Sequence, residues 1–133
     1  MIVVDASILA NAIGDDGDDG RRARAELHRA DGVSAPDLVD VETVAVLRKR
    51  WLARTITDHR FAAAIDDLAD LALDRYPTLP LMRRAFELRA NVTAYDAAYV
   101  ALAEGLDCAL LTADTRLAKA AGPRCAIKLL TGT

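Results

Sequence analysis

The sequence opens with Met1-Ile2-Val3-Val4-Asp5, and Ala109-Leu110-Leu111-Thr112-Ala113-Asp114 lies near its other end. In both stretches, an apolar run short enough to be a buried strand is followed by an aspartate. In an open parallel sheet, loops and helix N-termini converge beyond the carboxyl ends of the strands. The two stretches therefore predict that Asp5 and Asp114 stand at the same edge of one sheet.

The rest of the chain continues this alternation. Further short apolar runs lie at 33–35 and 126–130, with a weaker one at 72–76. Segments with helical periodicity lie at 6–13, 21–30, 37–53, 58–71, 81–90, 94–104 and 116–120. We expect Pro36 to begin a helix, Thr57 to cap one and Gly105 to end one. The pattern predicts an α/β domain with a central, mainly parallel β-sheet flanked by α-helices.

Length and composition fit one domain over residues 1–133. With 53% hydrophobic residues, a chain of 133 residues forms a core without disulfides or a structural metal. The N-terminus lacks the features of a signal peptide, and no apolar run approaches the ~18 residues that span a bilayer. We therefore expect a cytoplasmic protein with no membrane segment. Cys108 and Cys125 lie in or beside apolar segments, where cysteine behaves as a small hydrophobic residue.

The charge pattern limits how the chain could hold nucleic acid. A net charge of −3 argues against a broad basic surface. Groups of basic residues are still candidates for guiding a strand, although a solvated helix face is the simpler explanation for each. These groups are Arg21, Arg22 and Arg24, then Arg48, Lys49 and Arg50, and finally Arg83 and Arg84.

An acidic segment at 15–20, followed by Glu26, partly matches an EF-hand calcium loop. Gly17 stands where a third ligand belongs, and Arg22 replaces the apolar residue usual after the loop glycine. We therefore interpret the segment as a mobile acidic loop.

Two further acids lie on apolar helix faces. Around Glu42, the residues one turn away in either direction are Leu38, Val39, Ala45 and Val46, and Asp96 has Val92, Thr93, Tyr99 and Val100 at the same offsets. A buried acid must be paired, protonated or bound to a metal. Each acid taken alone has a plainer explanation as a helix cap or an arginine partner. Four carboxylates in one crevice would instead repel unless a cation joined them, and hard oxygen ligands favour Mg²⁺ or Mn²⁺.

Four segments together resemble the PIN domain, specifically toxins of the VapC type. They are Val3-Val4-Asp5-Ala6-Ser7, the helix from Asp40 to Arg48, the run from Thr93 to Ala103, and Leu110-Leu111-Thr112-Ala113-Asp114. They occur in the family's order and span nearly the whole chain. Each segment is only moderately specific, whereas the combination is strongly so.

The resemblance implies a PIN-like fold, a homodimer, a VapB-type antitoxin partner and Mg²⁺- or Mn²⁺-dependent cleavage of RNA. By motif, Asp5, Glu42, Asp96 and Asp114 match the family's acidic catalytic and metal site. Ser7 and Thr112 match its small hydroxyl positions, which would support the carboxylates or a metal-bound water. Some members carry a further acid two residues past the last one. This chain has Arg116 there, which favours one firmly bound metal over two.

With a metal-activated water, the mechanism needs no side-chain nucleophile. Neither His28 nor His59 lies beside a candidate acid in sequence, so a histidine acid/base pair is not expected.

Other protein classes with acids at strand ends fit the sequence less well. A receiver domain would need adjacent acids after the first strand, and a haloacid-type phosphatase would need an aspartate where Ser7 stands. The helices at 37–53 and 58–71 carry apolar surface that either packs the core or receives a partner segment. A non-catalytic, metal-binding PIN-like interaction module stays open as the alternative function.

Overall fold

The computed structural model describes residues 1–131. The strands are β1 Ile2–Val4, β2 Val33–Pro36, β3 Asp74–Tyr76, β4 Ala109–Thr112 and β5 Ile127–Leu129. The α-helices are α1 Ala6–Gly14, α2 Asp18–Arg29, α3 Val39–Leu52, α4 Asp58–Asp70, α5 Met82–Glu87, α6 Ala94–Leu106 and α7 Thr115–Ala118, and a 3₁₀ turn spans Leu79–Leu81. Every predicted element is present, with its ends within three residues of the prediction.

The five strands form one parallel sheet in the order β3-β2-β1-β4-β5. This confirms the predicted α/β fold with helices flanking the sheet. β1 lies at the centre, and Val4 pairs with Leu111 of β4. That register sets the carboxyl ends of β1 and β4 side by side, so the residues that follow them reach the same edge.

Burial explains why the central strands are apolar and the outer ones are not. Val3, Val4, Leu110 and Leu111 are at most 1% exposed, as expected for strands covered on both faces. The outer strands β3 and β5 carry exposed charged residues instead. Because two of its three residues are charged and exposed, β3 has only a weak hydrophobic pattern and was the least evident strand in the sequence.

Helix caps at the carboxyl edge of the sheet come from short polar side chains. Asp5 and Asp114 cap α1 and α7, and Thr93 caps α6, each accepting a hydrogen bond from a backbone N–H of the first turn. Elsewhere Thr57 caps α4 by accepting from Arg60 N–H at 3.0 Å, which confirms that prediction.

Two predicted helix boundaries were wrong. Pro36 is the last residue of β2 rather than the first of a helix, and Asp37 N–H supplies the next sheet bond, to the Tyr76 carbonyl at 2.7 Å. A proline at this strand end therefore sacrifices no hydrogen bond. Gly105 does not end α6, which continues to Leu106. Asp107 closes it in the left-handed conformation with φ of 53°.

The acidic segment at 15–20, predicted to be a loop, is a loop only in its first half. Its second half forms the first turn of α2, where acidic residues are favoured by the helix dipole. Asp16 makes a two-pronged ion pair with Arg60, and Asp18 pairs with Arg21. The Asp15 carboxylate accepts from Gly17 N–H at 2.6 Å. These carboxylates are occupied by protein donors.

The apolar surface of α3 and α4 is only partly core. Leu68 is buried, whereas Trp51 and Ile65 are 40% and 39% exposed. Trp51, Phe61 and Ile65 line an open, mainly apolar cavity of about 520 Å³ between the two helices. No helix within residues 1–131 is both long and apolar enough to cross a membrane.

Close packing at Gly20 yields a stability prediction. A Cβ at this position would lie 1.8 Å from the Asp15 carbonyl oxygen. Relieving this clash would require the backbone to move, because the oxygen belongs to the main chain. We expect Gly20→Ala to lower the free energy of unfolding by on the order of 2–3 kcal/mol, measured by chemical denaturation. Gly105→Ala is the matched control, because nothing lies within 4 Å of its Cβ position. It should stabilise the protein by about 0.5–1 kcal/mol. Equal effects of the two substitutions would contradict the packing explanation.

Candidate active site

The four predicted acids come from four elements that meet at the carboxyl edge of the sheet. Asp5 directly follows β1, and Asp114 lies two residues beyond β4. Glu42 and Asp96 lie in the first turns of α3 and α6. Glu42 is half-buried beside the core-facing stripe of α3 rather than within it, because Val39, Thr43 and Leu47 form that stripe. Asp96 is also half-buried.

Asp5 is the most tightly held of the four. It is 5% exposed, and one carboxylate oxygen accepts from the Ser7 hydroxyl at 2.5 Å, from Ser7 N–H at 3.1 Å and from Ile8 N–H at 3.3 Å. The other oxygen accepts from the Thr112 hydroxyl. Burial raises the pKa of Asp5, while these hydrogen bonds act in the opposite direction. The side chain thus has a fixed orientation.

Ser7 and Thr112 connect the two halves of this edge. The Ser7 oxygen accepts from Ala113 N–H at 3.0 Å while its hydroxyl donates to Asp5. The Thr112 oxygen accepts from Asp114 N–H at 3.0 Å while its hydroxyl donates to Asp5 as well. Both hydroxyls therefore join the residues after β1 to those after β4.

Glu42 is held by a residue that was not among those predicted for the site. The Tyr99 hydroxyl donates to the Glu42 carboxylate at 2.5 Å, and Tyr99 is only 1% exposed. The signal available in the sequence was a tyrosine one turn after Asp96 on an apolar face, since a buried phenol needs a hydrogen-bond partner. Burial, followed by the bond to Glu42, raises the pKa of Tyr99 far above its usual value, so it stays a donor.

Electrostatic coupling shows that the acids share one region. The pKa of Glu42 is raised first by burial and then by the charges of Asp96 and Asp5. The pKa of Asp96 is raised first by burial and then by the charges of Asp114 and Asp5. Glu42 and Asp96 are thus each disfavoured as anions by burial and by neighbouring carboxylates.

Basic residues do little to offset this charge. Among residues 1–131, no lysine or arginine forms an ion pair with Asp5, Glu42 or Asp96. The Arg116 guanidinium lies 4.0 Å from Asp114, but its side chain is 95% exposed. The plainer explanation of the acids as helix caps holds for Asp5 and Asp114, which do cap helices. It leaves Glu42 and Asp96 unexplained.

The donor set suits a divalent metal ion, although the side chains as they stand do not form a closed coordination shell. Carboxylate oxygens without a basic partner are the ligands that Mg²⁺ and Mn²⁺ prefer. Within the described part of the chain, no three His, Cys, Asp or Glu side chains are grouped closely enough to hold a metal ion outright. The Asp96 carboxylate has a hydrogen bond to the Thr93 side chain, and Asp96 N–H donates to the same hydroxyl at 3.1 Å. This local contact leaves a carboxylate oxygen for a bound ion.

Most of the basic residues proposed to guide a strand have structural partners instead. Arg24 donates to the Ala12 and Asp15 carbonyls at the end of α1, and Arg50 donates to the Ala10 carbonyl and the Asn11 side chain. Arg84 makes a two-pronged ion pair with Glu104, and Arg21 pairs with Asp18. His28 and His59 are exposed. Arg116 is the basic residue that the structure places beside the acids.

Comparison with known proteins gives consistent matches. A sequence model of the PIN domain matches residues 2–123. Ribonuclease VapC9 of Mycobacterium tuberculosis is 42% identical over 130 residues, covering 98% of each chain. Ribonuclease VapC1 of the same organism is 43% identical over 129 residues, covering 96% of each.

Among solved structures, the fold resembles M. tuberculosis VapC20, which is described as a toxin that cleaves the sarcin-ricin loop. The TM-score is 0.70 at 17% identity, and the match covers 89% of this chain and 93% of that chain. At this identity the likeness shows the fold alone. The match is independent support for the sheet topology that positions the four acids.

Repulsion among the acids yields a second stability prediction. In metal-free buffer, Asp96→Asn should raise the midpoint of thermal unfolding by roughly 2–4 °C, because it removes a half-buried charge that Asp114 and Asp5 repel. Asp66→Asn, on an exposed face of α4, is the control and should leave the midpoint unchanged. A midpoint for Asp96→Asn at or below that of the control would show that the acids do not repel one another appreciably.

Proposed function

This chain belongs to the PIN-domain family as a VapC-type ribonuclease, and we propose that it is the toxin of a type II toxin–antitoxin system whose RNA cleavage depends on Mg²⁺ or Mn²⁺. The observation that carries the proposal is the convergence of Asp5, Glu42, Asp96 and Asp114 at one sheet edge, where the first three form no ion pair with a basic residue of the described chain, 1–131. A divalent ion bound there would lower the pKa of a water molecule and neutralise charge on the scissile phosphate.

Each acid has a distinct position in the proposed site. Asp5 forms its rigid base, because hydrogen bonds from Ser7, Ile8 and Thr112 fix both of its oxygens in place. Glu42 is oriented by the Tyr99 hydroxyl and keeps its second oxygen available to a ligand. These supports reduce the reorganisation needed when a cation arrives.

The remaining two acids complete the ligand set. Asp96 keeps one oxygen beside its hydrogen bond to the Thr93 side chain, and Asp114 keeps one after accepting from Arg116 N–H at 2.8 Å. Ser7 and Thr112 act on the reaction through Asp5. Arg116 stands where a further acid would offer another ligand, so we propose one firmly bound metal ion rather than two.

The proposed substrate and partners follow from the relatives and from the surface. RNA is the substrate, since the relatives that match the full chain are named ribonucleases. The partner is an antitoxin of the VapB type, and the active form is a homodimer. The apolar cavity between α3 and α4, with its partly exposed Trp51 and Ile65, is a surface that suits an amphipathic segment of the antitoxin.

Cleavage of RNA by the purified chain is the direct test. With Mg²⁺ or Mn²⁺ the protein should cleave RNA, and a chelator should abolish the activity. Asp5→Asn and Asp96→Asn should each reduce the rate by at least ~100-fold, because each removes a ligand charge. Asp66→Asn should retain wild-type activity, and loss of cleavage in the two active-site variants purified in the same way excludes a contaminating ribonuclease.

Cleavage that survives both active-site substitutions would overturn the mechanism. A wild-type protein that binds Mg²⁺ but cleaves no RNA from its own cells would favour the alternative, a non-catalytic interaction module.

The role of Tyr99 is tested separately. Tyr99→Phe removes the hydroxyl that orients Glu42 and should raise the Mg²⁺ concentration for half-maximal cleavage about 10-fold, with a smaller loss of rate at saturating Mg²⁺. Tyr95→Phe is the control on the same helix, since Tyr95 is 65% exposed. An equal loss of rate at every Mg²⁺ concentration would instead indicate that Tyr99 serves only the fold.

A further inference from the structure

Two cysteines meet at the edge of the sheet opposite the carboxylates. Cys108 immediately precedes β4, and Cys125 lies two residues before β5. These strands are parallel, with Leu110 opposite Ile127. Both cysteines lie two residues before this pair, Cys108 just ahead of β4 and Cys125 in the bend that leads into β5, so the chain brings them to the same end of the two strands. Leu110 N–H donates to the Ala126 carbonyl at 2.9 Å, so the two strands are still paired next to the cysteines.

The two thiols share one environment. Both line an open cavity of about 550 Å³, together with Glu104 and Arg124. Both are free and partly exposed, so a small molecule can reach them. Burial raises the pKa of both thiols, and for Cys125 the charges of Glu104 and Cys108 add to this effect. The influence of Cys108 on the pKa of Cys125, together with the shared cavity, indicates that the two thiols are near each other.

We infer that Cys108 and Cys125 are a reversible dithiol–disulfide pair, oxidised by a small-molecule disulfide such as oxidised glutathione. Neighbouring strands lie about 4.7–4.9 Å apart, which falls within the Cα separation of roughly 4.4–6.8 Å that a disulfide requires. Side chains opposite each other in a parallel pair also point to the same face of the sheet. A disulfide also requires the two Cβ atoms to lie roughly 3.5–4.5 Å apart, so the bend at Cys125 adjusts as the bond forms.

The reaction proceeds by two thiol–disulfide exchanges. The thiolate of one cysteine attacks a sulfur of the small disulfide, forming a mixed disulfide and releasing one small thiolate. The second cysteine thiolate then attacks the protein sulfur of that mixed disulfide, which forms the Cys108–Cys125 bond and releases the other small thiolate. The two protons lost by the cysteines pass through solvent to the released thiolates. Two protein thiols are oxidised, and one small disulfide is reduced.

The bond would close a loop that carries part of the candidate site. Thr112, Asp114 and Arg116 all lie between the two cysteines in sequence. Closing such a loop restricts the unfolded chain and ties the outer strand β5 to β4. Oxidation would therefore stabilise the segment that supports the Asp5 side chain.

The test uses the full chain incubated with oxidised or reduced glutathione. Oxidation should lower the intact mass by two hydrogen atoms, and digestion should yield one peptide pair linked through Cys108 and Cys125. The thermal midpoint should rise by on the order of 10 °C and return on addition of dithiothreitol. These readouts do not require RNA cleavage, so they are independent of the proposed function.

Cys108→Ser and Cys125→Ser are the matched controls. Each should gain a single glutathione and show no rise in midpoint, because the second exchange has no attacking thiolate. Wild-type protein that retains two glutathiones, links only to other chains or keeps both thiols reduced would overturn the inference. An unchanged midpoint in a protein with the bond formed would overturn the stabilising role.

Discussion

The carboxylate of Asp5, buried between the ends of β1 and β4, is the constraint on which the site depends. It caps α1 and accepts from the Thr112 hydroxyl, so one side chain sets the direction of a helix and the position of the neighbouring strand end. Thr112 in turn accepts from Asp114 N–H. Two hydrogen bonds in series, both made by the Thr112 hydroxyl, therefore fix the Asp114 backbone relative to the Asp5 carboxylate.

The same arrangement opposes folding electrostatically. Burial and the charges of neighbouring acids raise the pKa of Glu42 and of Asp96, and Arg116, the basic residue beside Asp114, is 95% exposed. The surrounding core of fully buried residues such as Leu9, Leu47 and Val100 holds the acids together despite their repulsion. The apolar layers on both faces of the sheet thus offset the destabilising repulsion among the carboxylates.

The central part of the fold could be read from the sequence because its signals are local. β1 and β4 are continuous apolar runs, and each is followed by an acid at a predictable edge. Non-local contacts were beyond such reasoning. The Tyr99–Glu42 hydrogen bond joins residues on different helices, and the proximity of Cys108 and Cys125 depends on strand register. The end of α6 was misjudged because Asp107 adopts a conformation usually reserved for glycine.

The outer strands of the sheet bear on how the protein behaves at high concentration. An open sheet exposes unpaired N–H and C=O groups at both borders, where another chain can add as an extra strand and begin aggregation. Here each border strand has only three residues, and each carries charge: Asp74 and Arg75 on β3, and Lys128 on β5. An incoming strand would have to bury these charges for few hydrogen bonds. The borders therefore act as built-in barriers to fibril growth.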